Sequence, residues 1–296
     1  MAAAIETAGF DGVWVGEVND LDAVVPATLA AVGTETAAVG VLLNTFTRAP
    51  TTLAMTASTL AACAPGRAHV VLGAASPLLV QRWNGIPYER PFARLRDCLR
   101  FVRAALTGER VDGAFETFST SGFRLPHPPD PAPSLLVAAS GLRALQLATE
   151  EADGVVLNWI DPMVDLDAVH PLPERRNRIS VVLSVCPSRD QAIVREVMTP
   201  ILTSYLNVPA YAEQQRRLGR GDALAATWEA WSRGDAAGAA KALPDSLFDA
   251  FVVSGDPNEC RDRLDEIERV TGARIIATYF LPPDADFLAT VRGDPP

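Results

Sequence analysis

Ala37-Ala-Val-Gly-Val-Leu-Leu43 leads straight into Asn44-Thr-Phe-Thr-Arg-Ala-Pro50 and then into Thr51 to Ala64, where Ala and Leu recur at three- and four-residue intervals. A short, near-continuous apolar run reads as a strand covered on both faces, and the three/four spacing reads as a helix packed against it. The same unit repeats on either side. Further runs are Gly12-Val-Trp-Val-Gly16, Ala68-His-Val-Val-Leu-Gly73, Ser134-Leu-Leu-Val-Ala-Ala139, Gly154-Val-Val-Leu-Asn158, Ile179 to Val185 and Arg274 to Phe280. Helical spacing fills Phe92 to Leu106, Leu142 to Ala152, Gln191 to Leu206 and Asn258 to Val270, with Pro91 and Pro257 suited to first turns and Gly108 to a stop. Such alternation predicts an α/β fold with parallel strands. Seven strands over the whole length, with no Ser/Gly linker, favour one (β/α)₈ TIM barrel over residues 1–296 rather than two domains.

The composition agrees. A chain of 296 residues with 48% hydrophobic and 21% charged residues can bury a large core. Its 26 basic and 36 acidic residues give a net charge of -10, which argues against nucleic acid and anionic membranes as partners. Lys241 is the sole lysine, so a P-loop lysine is excluded and a Schiff base would have to use that residue. Cys63, Cys98, Cys186 and Cys260 are widely spaced, which predicts free thiols and a cytoplasmic setting. The start lacks the basic and apolar segments of a signal peptide, and no apolar run reaches membrane-spanning length.

Two stretches interrupt the rhythm. Residues 77–91 form an insertion with Pro, Trp and Tyr after the third strand, where barrel enzymes place substrate loops. Residues 114–133 read as a surface excursion, a hairpin of Phe115 to Phe118 against Phe123 to Leu125 that runs into a Pro-rich segment. Tyr205 to Asp249 is mostly helical, with Trp228 and Trp231 on one face and expected in the core.

No G-x-G-x-x-G, G-x-S-x-G or H-E-x-x-H occurs, and His69, His127 and His170 fall in separate elements, which predicts no His/Cys metal site. His69 reads as a structural histidine within a strand. The polar residues at predicted strand ends are Glu17, Asn44, Ser76, Ser140, Asn158 and Ser184, and a closed parallel barrel would gather them at one mouth. In Ser140-Gly-Leu-Arg143 a Ser at the N-cap, a Gly and free helix-start amides would make an anion site with Arg143, or else a plain cap. Asn44 precedes a segment suited to a bulge or strained peptide.

Along nearly its whole length the chain resembles the luciferase-like oxidoreductase superfamily, in particular its branch using the deazaflavin coenzyme F420. The resemblance lies in Ala8 to Glu17, Leu43 to Pro50, Gly66-Arg67 leading into Leu72 to Ser76, Trp83 to Pro87 with Pro91, Ala139 to Arg143, Ala152 to Asn158, and Leu243 to Asp245 with Gly255 to Arg261. It implies a barrel, commonly a homodimer, with the cofactor at the strand ends. A non-prolyl cis peptide often lies at the position of Asn44 in that family. Segments matching Ala74, Ala75 and Ser76, and Ser140 and Gly141 with Arg143, would approach the cofactor, Asn158 would face the same mouth, and Trp83 and Asn84 would shape the substrate side. The deazaflavin would carry hydride and the protein would orient, shield and move a proton.

Three departures stand out. The acid-His pair common after the first motif is here Glu17-Val18, which leaves Glu17 as the candidate for proton transfer. The glycine-rich turn after the third strand has become Ala74-Ala75. Met1 to Gly9 reads as the family's first helix, which predicts a barrel lacking its first N-terminal strand. The leading expectation is an F420-dependent oxidoreductase acting on a small organic substrate; an FMN-dependent monooxygenase and a non-catalytic barrel partner subunit are the alternatives.

Overall fold

A computed structural model describes residues 1–169, 178–280 and 286. The chain divides into two compact units, Met1–Val155 and Val156–Pro296.

The first unit begins with helix α1 (Ala2–Thr7). The Glu6 carboxylate accepts the backbone N–H groups of Thr36, Ala37 and Glu35 and the Thr36 hydroxyl, which ties α1 to a distant turn and pulls the Glu6 pKa down to about 2. Then follow β1 (Gly12–Gly16), α2 (Val24–Gly33), β2 (Ala38–Asn44), α3 (Pro50–Cys63), β3 (Ala68–Gly73), a π-helical turn (Leu78–Trp83), α4 (Pro91–Leu106), β4 (Val111–Ala114), β5 (Ser119–Phe123), β6 (Ser134–Ala138) and α5 (Leu142–Glu151). Strands β1, β2, β3 and β6 pair in parallel in that order. Successive side chains alternate faces. Val39, Val41, Leu43, Val70, Leu72, Leu135 and Val137 share one fully buried face. On the other face Trp14 lies across Gly40 and stacks on His69 at 5.4 Å, and a Cβ at Gly40 would sit 2.0 Å from the indole. His69 is thus part of the packing.

Two expectations need correction in this unit. β1 is not covered on both faces, since Gly12 to Val15 are half-buried and Gly16 is exposed. The hairpin pairs Val111–Ala114 with Ser119–Phe123, while Phe115 to Phe118 form its turn. The buried Asp97 of α4 accepts both the N–H and the hydroxyl of Thr117, and Phe115, Phe118 and Phe123 pack around Phe101. The hairpin is therefore a surface excursion, most of its strand residues being exposed, that is anchored to α4 through its turn. Arg67, from the Gly66-Arg67 motif, donates to Thr34 and to the carbonyls of Ala31, Thr34 and Ala37, closing the end of α2 onto β2. α2 has no charged residue, and Val25, Leu29 and Val32 are 61%, 67% and 72% exposed along one side.

In the second unit β7 (Gly154–Asn158), whose first residues lie at the boundary, is followed by α6 (Leu166–Val169), β8 (Ile179–Cys186), α7 (Gln191–Leu206), α8 (Pro209–Arg217), α9 (Gly221–Ser232), α10 (Ala236–Lys241), α11 (Ser246–Phe251), β9 (Val252–Ser254), α12 (Pro257–Thr271) and β10 (Arg274–Tyr279). β8 neighbours β7 and runs parallel to both β9 and β10. The sequence reading omits β9, a three-residue strand joined directly to α11. Met198, Leu202 and Leu206 of α7 pack with Leu224, Phe248 and Phe251. Trp228 joins this core and donates to the Leu206 carbonyl, but Trp231 is 39% exposed, so the two tryptophans do not share its burial. A capping box of Asp256 and Glu259 starts α12, and Arg189 reaches both carboxylates. Lys241, at the end of α10, is exposed.

Candidate active site

Parallel pairing puts the C-terminal ends of β1, β2, β3 and β6 side by side. Asn44 is paired with Gly73, and the next position along the β3–β6 ladder brings Ala138 close, 3.6 Å from where a Gly73 Cβ would stand. This strand-end row is low because its residues are small. Asn44 is 2% exposed; its Oδ1 accepts the Phe46 N–H, while its Nδ2 is buried with no partner. A buried amide donor left unpaired costs about 1–3 kcal/mol, and this one has a hydrogen bond to spare for an acceptor brought to the strand end. The expected cis peptide is absent here: Thr45 continues the β2–β3 ladder by donating to the Gly73 carbonyl, and the cis bond among the described residues is Asp130–Pro131.

Glu17 follows β1 and is not a free carboxylate. Both of its oxygens accept from Arg48 Nε at 3.1 Å, and Oε1 also accepts from Arg48 Nη2 at 2.5 Å. Arg48 Nη2 also donates to Asp22 at 2.6 Å, and these carboxylates, Glu17 foremost, raise the Arg48 pKa. A guanidinium fork of this kind fixes the orientation of the carboxylate. Arg48 lies within the quoted Leu43 to Pro50 motif, yet nothing in the spacing reveals its partner.

The remaining candidates divide. Ala74, Ala75 and Ser76 form the turn after β3, with Ala75 at φ +56°, a conformation in which the family's glycine would be at ease. Gly141, not Ser140, occupies the N-cap of α5, and no side chain caps that helix start. Arg143 lies over the Phe92 ring at 4.0 Å, so its guanidinium is braced by cation–π contact. Trp83 is 50% exposed on the π-helical turn, whereas the Asn84 amide donates to the Leu79 carbonyl and closes that turn.

Asn158 ends β7 in the second unit, where its side chain is already engaged. Its Oδ1 accepts the Trp159 N–H, and the Tyr211 hydroxyl also bonds to it. Trp159 is 5% exposed at φ +57°, packed on Tyr205 and Phe251. Gln214 donates to the carbonyls of Asn158 and Trp159, and Gln215 to that of Trp159. Burial pushes the Tyr211 hydroxyl up to about 12. Ser184 is buried within β8. His127 is exposed, and His170 lies outside the described residues. Among the described residues no group of His, Cys, Asp or Glu could hold a metal, no helix is long and apolar enough to cross a membrane, and the four cysteines are free.

Parallel strands alternating with helices, with polar groups gathered at the C-terminal strand ends, define the TIM-barrel class of enzyme scaffold. Within that class the chain belongs to the luciferase-like monooxygenase family, which it matches over residues 1–274. It is 28% identical over 298 aligned positions to a 5,10-methylenetetrahydromethanopterin reductase of Archaeoglobus fulgidus, covering 94% of this chain and 88% of that protein. Among solved structures it resembles a coenzyme F420 dependent tetrahydromethanopterin reductase from Methanopyrus kandleri, with TM-score 0.75 and 19% identity over 98% of this chain and 91% of that one. An F420-dependent secondary alcohol dehydrogenase in complex with an F420-acetone adduct gives TM-score 0.74 and 15% identity over 98% and 90%. These likenesses establish the luciferase-like TIM-barrel fold.

Proposed function

We propose that the protein is an F420-dependent oxidoreductase that moves hydride between the deazaflavin and a small organic substrate. The observation that carries this reading is the buried Asn44 amide, unpartnered beside Gly73 and Ala138. Family membership and relatives named as F420-dependent support it. When bound, the deazaflavin supplies the hydride chemistry. Asn44 would donate a hydrogen bond to it, and the Ala74–Ser76 turn with the α5 start at Ser140 and Gly141 would meet its anionic chain, with Arg143 adjacent. Glu17, oriented by Arg48, would hold or move a proton at the substrate atom that changes protonation, while Trp83 would cover the substrate side. The four free thiols suit a reducing, cytoplasmic setting.

Titration of the purified protein with F420 and with FMN, followed by fluorescence, tests the assignment. Saturable F420 binding with turnover of the reduced coenzyme is the expected result. Oxygen uptake with reduced FMN but no turnover with F420 would assign the protein to the monooxygenase side of its family, and binding of neither by folded protein would refute both.

We also infer a homodimer. A chain of charge -10 repels its own copy over most of its surface, whereas α2 offers the uncharged, exposed row Val25, Leu29 and Val32. Leu29→Glu should shift sedimentation to the monomer; a wild-type monomer at micromolar concentration would refute the dimer.

A further inference from the structure

Ala75 is held in the left-handed region at φ +56° although its side chain is exposed and has no packing of its own. That conformation costs an L-residue about 1–2 kcal/mol. The Ala75 carbonyl accepts a hydrogen bond from the Tyr88 hydroxyl at 3.1 Å. Tyr88 belongs to the 77–91 insertion and is half-buried, with its ring 5.0 Å from that of Phe46. Phe46 in turn donates its N–H to Asn44 Oδ1. A single line of contacts therefore runs from Asn44 through Phe46 and Tyr88 to the turn after β3. One such hydrogen bond contributes about 1 kcal/mol, close to the cost of the strained residue, so the bond can decide which conformation the turn adopts.

We propose that Tyr88 is a positioning residue that holds the Ala74–Ser76 turn in its left-handed conformation at the cofactor's approach. The identity of the ligand rests on the F420 reading above, while the dependence of Ala75 on Tyr88 does not. A glycine at position 75 adopts the same φ without strain, so Ala75→Gly should remove the need for the hydroxyl. Tyr88→Phe keeps the ring against Phe46 and deletes only the oxygen.

Wild type, Tyr88→Phe, Ala75→Gly and the double variant are compared by F420 affinity and by amide hydrogen exchange at residues 75–76 in the free protein. Tyr88→Phe should weaken F420 binding about fivefold and speed exchange by a similar factor, with the melting temperature little changed. The double variant should recover both to within about twofold of wild type, as relief of strain at one residue predicts. An equal effect of Tyr88→Phe with and without the Ala75→Gly substitution would overturn the proposal, as would unchanged exchange. If wild type binds no F420 but the exchange pattern and its rescue appear, the positioning role stands and the cofactor assignment falls.

Discussion

The strand ends at Asn44 and at Asn158 begin with the same residue type and are finished in opposite ways. After β2 the buried Asn44 amide has no partner, and the neighbouring positions are Gly73 and Ala138. After β7 the Asn158 side chain is engaged by Trp159 and Tyr211, and two buried glutamines take the carbonyls of Asn158 and Trp159. Each end keeps one buried donor without a partner, Asn44 Nδ2 at the first and the Trp159 indole N–H at the second, so the contrast lies in the asparagine side chains and in the carbonyls the glutamines take. Both contain a non-glycine residue at positive φ, Ala75 near one and Trp159 at the other, so backbone strain alone does not distinguish them. The engagement of the strand-end asparagine does: Asn158 is held by Trp159 and Tyr211, whereas the Asn44 amide N–H has no partner.

The contrast can be broken at several points. Glu17→Gln should lower turnover by at least ~100-fold, the usual scale for a lost proton-transfer group, with little change in F420 affinity; an unchanged rate would remove Glu17 from that role. Gln214→Leu should cost the second unit about 1–3 kcal/mol in denaturant unfolding, because it leaves the Asn158 carbonyl short of its donor. Asn44→Ala should weaken F420 binding about tenfold yet cost no more than about 1 kcal/mol of stability, since only the bond to Phe46 is lost. If Asn44→Ala destabilises as much as Gln214→Leu, the distinction between a receiving and a finished strand end fails.

The smallest effect lies away from both ends and depends on pH. Glu6 titrates at about 2 in the folded chain against an ordinary 4.5, so its carboxylate stabilises the fold above the unfolded value and loses that effect as pH falls through the folded one. Glu6→Gln should therefore lower the melting temperature by a constant small amount above about pH 5.5, and the difference should vanish towards pH 2. A difference that persists unchanged at pH 2 would remove the carboxylate charge as its source.

Seven of the strands are legible in the sequence to within a residue at either end, because each is a short apolar run set off by helical spacing, even where, as in β1 and β10, the strand is only half-buried. β9 escapes because Val252-Val-Ser254 continues from the apolar end of α11 and has no run of its own. The hairpin register is displaced because Phe115 and Phe118 look like strand residues, whereas Asp97, on another element, captures Thr117 and makes them a turn. At the candidate site the strand-end positions can be read, but their engagement cannot. Glu17 meets Arg48 across 31 residues and Gln214 meets Asn158 across 56, and neither spacing carries a periodic or motif signal. Helix capping is local, so the Asp256 start is visible, while the shift from Ser140 to Gly141 on α5 depends on one residue's backbone angles.

The scarcity of amines and accessible thiols offers an experimental handle. Lys241 is the chain's single lysine and is exposed at the end of α10, while Cys63 at the end of α3 is the one cysteine that is not buried. With the N-terminal α-amine blocked, an amine-directed dye and a thiol-directed dye would attach at these two places without any engineered substitution, one in each compact unit. Energy transfer between them would give a molecular ruler across the native chain, read before and after the coenzyme is added.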